Sequence, residues 1–583
     1  MSAWVERPLD ADQATKVGEL EEAGYPQLLA RLLALRGIDC TKVEGFFKPS
    51  LSALVPPENL PGVNEAAETI FAALAARSPI VVFGDYDCDG VSATAILVKC
   101  LRALGGNVEP FLPHRLDEGY GMTEASVARM LAANPGVRLV VSVDNGINAI
   151  EPVAELKRRG IAVVVTDHHL PTVVDGKCVL PAADAVVNPK VAAPPELECL
   201  CGAGVAFFLA NRVTCLARER SLYSGPGIAG PLVVLAGLAT VTDIMPLLGQ
   251  NRVFVAEALK LFPQHAPVGL RELHLRAARS AVVRLTTRDF GFLLGPRINA
   301  AGRVASGDEA LDLILCDDRE RVRELAQRVD SRNVERKSLE QGMLDRALAQ
   351  VVEGAPAQVI DLPDGHPGVA GIVAARLLER LSSVPVFVVT GSHGSARSPE
   401  GMSVLEVMDA CGGTLVRYGG HAAAGGFSVR DGMVDEFRRQ ACAFCRERYG
   451  ESAVRSAERA RRTLDAWVGP GDLTLDSVER LLTMEPFGVG NPEPLLGLRG
   501  VRIANVQLLG AEGRHLRLAL DNGLSGVWWG HGAEAERLRA LGSAATADVV
   551  FRVAISGYGR RHVELGIVDV LAANPEGEGA PSA

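Results

Sequence analysis

Short, wholly apolar runs recur in the first half of the chain, and each closes on acidic or imidazole side chains. Residues 80–84 lead into Asp85, Asp87 and Asp89; Leu139–Val143 leads into Asp144-Asn145-Gly146; residues 161–165 lead into Thr166-Asp167-His168-His169. Runs of this length with no polar face read as strands buried on both sides, and the stretches between them, such as 91–99, read as helices. Strands alternating with helices predict a parallel sheet, whose ligands gather at the carboxyl ends of its strands. A fourth apolar run, 232–241, ends in Thr242-Asp243.

The pattern changes further along. From 318 to 352, Val322, Leu325, Val329, Leu339, Met343 and Ala347 recur among charges, which predicts a long helix bridging two domains and walling a groove. Residues 355–450 read as a second α/β domain, with strands at 359–360 and 386–389, a helix opening at 368–376 and glycine-rich loops at 394–398 and 419–426. From 498 to 570 five short strands alternate, at 501–509, 515–520, 526–529, 547–555 and 563–570, and these suggest an OB-fold barrel. The predicted fold class is thus α/β: a parallel-sheet domain, a second α/β domain and a C-terminal OB-fold β-barrel. The expected divisions are a helical lead-in (1–63, with Leu28, Leu29, Leu32, Leu33 and Leu35 on roughly one face), the sheet domain (64–260), a helical connector (261–354), the second domain (355–450), the barrel (464–570) and a disordered tail (571–583).

Composition supports several cores. The chain has 583 residues, 48% of them hydrophobic, and a mean hydropathy of +0.16. A net charge of −10 argues against a uniformly basic nucleic-acid binder, so local arginines matter more than the total. Metal ligands account for part of the acidity, and bound ions reverse the local sign. No uncharged apolar run reaches membrane-spanning length, and the N-terminus lacks a basic-then-apolar signal, so the expectation is a cytoplasmic protein. The 11 cysteines are scattered and read as reduced thiols.

The chemistry concentrates in the acidic strand ends. Carboxylates crowded at one place repel one another unless cations sit among them, and hard oxygen ligands suit Mg²⁺ or Mn²⁺. Asp87, Asp89, Asp144, His168 and Asp243, with His169 beside them, are candidates for holding two divalent ions, as in two-metal phosphoryl-transfer sites. Tyr120 is a candidate for stacking a base. The run 295–303, with Arg297, Asn299 and Arg303, reads as a polar phosphate-facing loop. Arg514, Arg517, Trp528, Arg560 and Arg561 are the barrel's candidate contacts.

The motifs DYDCDG, VDNG and TDHH, followed by Asp243, resemble the four motifs of the DHH phosphoesterase superfamily, in order. The likeness runs from about residue 50 to 570 and points to the branch of long exonucleases that degrade single-stranded DNA 5′→3′. It implies metal ligation by Asp87, Asp89, Asp144, His168 and Asp243, with Asp85 and Asp167 orienting them. It implies scissile-phosphate contacts from His169 and His421, a terminal-phosphate pocket of Arg115, Ser395 and Arg397, and backbone contacts from Arg297, Asn299 and Arg303. It further implies 5′-mononucleotide products, roles in recombination and repair, a monomer, and a helicase and a single-strand-binding protein as partners. Shorter superfamily members cut oligoribonucleotides, cyclic dinucleotides or pyrophosphate. Scaffold members have lost ligands, whereas every ligand position is filled here. Cys88 stands where the superfamily usually has a small residue such as Ala, and a thiol beside metals predicts sensitivity to oxidation.

Overall fold

The computed structural model describes residues 4–115, 117–278, 285–381, 383–457, 462–540, 546–556 and 561–572. They form two compact units, one made of Leu54–Met245 and Gly249–Ala460, the other of Met1–Ala53, Pro246–Leu248 and Arg461–Ala583.

In the larger unit, the apolar runs form five parallel strands: β1 (Ile80–Phe83), β2 (Val108–Phe111), β3 (Leu139–Val143), β4 (Ala162–Thr166) and β5 (Ala185–Val187). Every residue of β1 and β3 is buried, which explains why neither alternates with polar positions. The strand order is β2-β1-β3-β4-β5. After β2 the chain returns to the far side of β1, so the connections leaving β1 and β3 diverge and open a crevice at their carboxyl ends. Helices α1 (Cys88–Ala103), α2 (Gly202–Glu219) and α3 (Ala229–Thr242) pack against one another beside this sheet. The run ending in Asp243 is therefore helical. Thirteen of the 16 residues of α1 are buried, so it shows no polar stripe.

The segment predicted as a phosphate-facing loop is instead helix α4 (Gly295–Val304), entered from a π-helical turn, Asp289–Leu294. Its Ile298, Ala300 and Ala301 are fully buried, and this burial outweighs the loop-like look of its glycines. Helix α5 (Arg319–Leu348) is the predicted long helix, about 45 Å at 1.5 Å per residue. It packs on α6 (Pro367–Leu381), which covers a second sheet. That sheet holds β6 (Gln358–Asp361), β7 (Val386–Thr390), β8 (His393–Arg397), β9 (Leu415–Gly420) and β10 (Ala424–Val429), in the order β9-β10-β8-β7-β6. Ser395 and Arg397, predicted on a loop, lie on β8, paired on both sides.

In the smaller unit, strands β11 (Leu496–Leu509), β12 (His515–Leu520), β13 (Ser525–Trp528), β14 (Thr546–Ser556) and β15 (His562–Ala572) close into a barrel. β13 and β15 are parallel, and β11 pairs with both β12 and β14. This is OB-fold connectivity. The N-terminal helices Ala11–Glu22 and Gln27–Ala34 bury Leu20, Leu29, Leu32 and Leu33 in the core that also holds Leu516, Val549 and Phe551 of the barrel. Their apolar face is thus part of the barrel unit's core. The predicted tail lies outside the described residues from 573 onward. Among the described residues, no helix is long and apolar enough to cross a membrane, and the cysteines are all free thiols.

Candidate metal centre and nucleic-acid interface

The crevice between β1 and β3 collects the acidic strand ends. Asp87 caps α1, its Oδ1 accepting hydrogen bonds from the N–H groups of Asp89 and Gly90 at 3.0 Å each. Asp89 reaches across to the start of α2, where Gly202 N–H donates to Oδ2 and Ala203 N–H to Oδ1, both at 2.7 Å. Unpaired amides at a helix N-terminus suit a carboxylate. Asp144 leaves β3 with φ of +60°, a conformation uncommon outside glycine. Gly202 is required beside it, because a Cβ there would stand 2.6 Å from the Asp144 Cβ.

His168 ties the ends of three elements together. Its Nε2 lies 3.1 Å from Asp144 Oδ1, 3.6 Å from Asp89 Oδ2 and 3.7 Å from Asp243 Oδ2. Three overlapping groups of donors could each hold a cation, with ligand atoms within 4.8 Å of one another: Asp85, Asp87 and Asp144; Asp144, His168 and His169; Asp89, His168 and Asp243. Asp85 Oδ1 is buried with no hydrogen-bond partner, and Asp144 Oδ1, though near His168, forms no hydrogen bond. Oxygens left bare in this way, with imidazole nitrogen beside them, fit hard divalent ions.

The electrostatics say the same. Burial and the charge of Asp87 push the Asp85 carboxyl well above its usual range; burial and Asp89 do so for Asp144. Burial and Asp89 raise Asp243 to about 8. Burial lowers His168 below the ordinary imidazole value. Burial also opposes the charge on His169, but its 2.7 Å bond to Asp167 and the nearby carboxylates outweigh it and raise that group to about 9. Asp167 stays ionised: burial disfavours its charge, yet His169 and the N–H groups of Ile147 and His169 hold it low.

Tyr120 is wired into this centre. Its hydroxyl donates to the Asp144 carbonyl at 3.3 Å and stands 3.2 Å from His169 Nε2, while the residue is 52% exposed. Arg115 lies over the Tyr86 ring, 5.2 Å from its centroid. Burial lowers both Arg303, to about 10, and Arg397, and the charge of Arg115 acts on each in the same sense. Ser395 and Arg397 face α6 near its start, where a Cβ at Gly371 would stand 3.5 and 3.3 Å from their polar atoms. Arg115, Arg303, Ser395 and Arg397 therefore share one cationic corner. His421 sits apart from these contacts, exposed on the β9–β10 hairpin with its N–H bonded to Ala424.

Two candidates from the run 295–303 have protein partners. Arg297 is pinned to Asp330 on α5 at 2.7 Å, and Asn299 Oδ1 accepts from Cys88 N–H at 2.7 Å. Cys88 is 1% exposed, and burial pushes its thiol up to about 12. In the barrel, Trp528 is 4% exposed and stacks under His531 at 4.3 Å, so it cannot line a binding face; Trp529, at 64%, can. Arg514, Arg517 and Arg561 are paired with Glu512, Glu564 and Glu479, and Arg560 lies outside the described residues. Sequence reasoning missed the amides of Gly202 and Ala203. Their signal is the glycine opening a helix, which in the sequence reads only as close packing.

A divalent-metal phosphoesterase of the DHH type is the class that this crevice and its ligands define. Family models agree: the DHH family N-terminal domain matches residues 79–229, the DHHA1 domain 354–447 and the RecJ OB domain 464–569. The chain is 36% identical to the single-stranded-DNA-specific exonuclease RecJ of Dickeya dadantii, over 85% of this chain and 87% of that protein. It is 38% identical to RecJ of Thermus thermophilus, over 82% of this chain and 67% of that one. The crystal structure of the Thermus thermophilus RecJ with Mn²⁺ aligns with a TM-score of 0.78 at 32% identity, covering 99% of this chain and 79% of that one. A Mg²⁺ complex of the same protein aligns with a TM-score of 0.72 at 30% identity, covering 98% and 78%. The chain belongs to the RecJ family of single-stranded-DNA-specific exonucleases, and its cofactor is a divalent ion, Mn²⁺ or Mg²⁺.

Proposed function

We propose that the chain removes nucleotides from the 5′ end of single-stranded DNA and releases 5′-mononucleotides, in recombination and DNA repair. The observation that carries this reading is the cluster of acidic donors around Asp144 and His168, beside a corner holding three guanidiniums. Two bound ions would supply an acidified water and neutralise charge on the phosphoryl group. Asp87, Asp89, Asp144, His168 and Asp243 hold them, and Asp85 and Asp167 orient this set. Asp167 also keeps His169 protonated near neutrality, so that His169 donates to the scissile phosphate. His421 contacts that phosphate from the second α/β domain.

Guanidiniums gathered in one corner repel one another unless an anion lies among them. Arg115, Ser395 and Arg397, with Arg303, bind the 5′-terminal phosphate, and this end-recognition makes the enzyme an exonuclease. Arg297 and Asn299 act through α5 and α1, shaping the path of the strand. Residues 64–260, 261–354, 355–450 and 464–570 act as the enzyme's functional modules. The enzyme acts as a cytoplasmic monomer supplied with single strands by a helicase and a single-strand-binding protein.

The test is a digestion time course with Mn²⁺ or Mg²⁺, using 5′-labelled single-stranded DNA, the matching duplex and RNA of the same sequence. Mononucleotides released from the 5′ end of single-stranded DNA alone, abolished by EDTA and by Asp144→Ala, are expected. Cutting confined to RNA or very short oligomers would overturn the assignment in favour of a small-substrate phosphoesterase.

A further inference from the structure

Helix α3 delivers Asp243 to the metal centre, and the next residue is conformationally costly. Ile244 has φ of +59°, and it is 70% exposed. A β-branched residue in this region is strained, whereas glycine would be relaxed there. The chain thus keeps an apolar side chain in solvent, at a strained position, directly beside a ligand.

A second exposed apolar group lies on the segment that packs against the end of α3. The π-helical turn Asp289–Leu294 and the first residue of α4 pack on the last turn of α3: a Cβ at Gly291 would lie 3.5 Å from Val241 Cγ1, and one at Gly295 2.3 Å from Thr242 Cγ2. From this turn Phe292 projects, 73% exposed, with the Arg288 guanidinium 6.0 Å from its ring centroid. The turn is anchored at Asp289, whose Oδ2 accepts from the N–H of Thr286 at 2.8 Å and from its hydroxyl at 3.0 Å. An aromatic face in solvent with a cation beside it is the pairing that single-stranded nucleic acid uses for base stacking and backbone contact.

The ligand groups give the centre two ends. Arg115, over Tyr86, belongs with Asp85 and Asp87; Asp243 belongs with Asp89 and His168 in the other group. We propose that Phe292 and Arg288, together with Ile244, form a stacking platform for the nucleobases on the 3′ side of the scissile phosphate. The direction rests on the reading of the arginine corner as the terminal-phosphate site; the platform itself rests on the exposed groups beside Asp243. A strand with the terminal phosphate in that corner crosses the centre and leaves past Asp243.

The platform makes catalysis depend on substrate length. With the full chain, kcat/KM is compared for 5′-phosphorylated oligothymidylates of about 3 and about 20 nucleotides. Phe292→Ala should lower the long-to-short ratio by about fivefold to a hundredfold through KM, and Phe292→Tyr should restore it. Thermal melting, monitored in parallel, should match the parent because the ring is exposed. An unchanged ratio in Phe292→Ala would overturn the platform. Arg397→Ala, assayed on 5′-phosphate against 5′-hydroxyl ends, tests the arginine corner separately: it should lose the parent's preference for the phosphate, and if it keeps that preference while the Phe292 effect persists, only the assigned direction falls.

Discussion

The carboxamide oxygen of Asn299 accepts a hydrogen bond from the backbone N–H of Cys88 at 2.7 Å. Cys88 is the first residue of α1, between the candidate ligands Asp87 and Asp89, so α4 braces this loop through the contact. Asn299→Ala leaves a buried N–H unpaired, at a cost of about 1–3 kcal/mol. The expected outcome is a loss of roughly tenfold or more in kcat with little change in KM for single-stranded DNA. Steady-state kinetics on a labelled oligonucleotide check it; a rise in KM alone would instead make Asn299 a direct contact to the strand.

Gly202 serves two candidate ligands, since its N–H holds Asp89 and its missing Cβ leaves room for Asp144. Gly202→Ala must push Asp144 aside or move α2. Overpacking of this kind costs about 1–3 kcal/mol. Here it falls on the ligand set, so Mn²⁺ affinity measured by calorimetry should drop about tenfold or more, with activity following. Gly204→Ala is the comparison, because its new Cβ would meet only side chains, the nearest being the Phe254 ring at 3.3 Å. It should retain Mn²⁺ affinity within a few-fold.

Metal binding should strengthen as pH rises. Asp243, raised to about 8, and His169, raised to about 9, each bind a proton more tightly in the folded, metal-free state than when unfolded. Such groups stabilise the fold fully below their unfolded values, and that stability is lost as pH climbs through the folded values. The metal-free protein should therefore lose thermal stability between about pH 5 and pH 9. Mn²⁺ displaces the carboxyl proton, so its apparent affinity should rise by up to about tenfold per pH unit below pH 8. Melting curves with EDTA and with Mn²⁺ across this range test both trends; a stabilisation by Mn²⁺ that is independent of pH would refute the coupling.

The gathering of Asp85, Asp87, Asp89, Asp144 and His168 was legible because strands buried on both faces leave a plain signal, and these residues follow them at once. Asp144 and His168 could be placed together from the strand pattern alone. Asn299 and Arg297 could not, because a run of glycine, asparagine and arginine reads equally as a loop or as a helix, and burial of Ile298 and Ala300 decided for the helix. Ser395 and Arg397 were misplaced on a loop for a related reason. Glycine at 394 signals a turn, but here it makes room for the Phe427 ring, which a Cβ would approach to 2.2 Å.

The tandem Trp528-Trp529 shows how narrow such a decision can be. Successive residues of a strand point to opposite faces, so one indole must be inside the barrel and the other outside. The structure buries Trp528 and leaves Trp529 exposed just past the end of β13, edge-on to His515 at 4.8 Å. Gly530 N–H donates to His515 Nδ1 at 2.9 Å and holds that histidine beside the ring. Trp529 thus borders β12 and β13, the strands whose face binds oligonucleotides in OB-folds. Trp529→Ala should weaken equilibrium binding of single-stranded DNA by about fivefold to a hundredfold, the worth of one stacked base, with thermal stability unchanged. Trp528→Ala should do the reverse, lowering stability by about 3–5 kcal/mol as a large buried side chain is removed. Fluorescence anisotropy and thermal melting on the two variants separate the roles; equal effects of both on DNA affinity at unchanged stability would return the contact to Trp528.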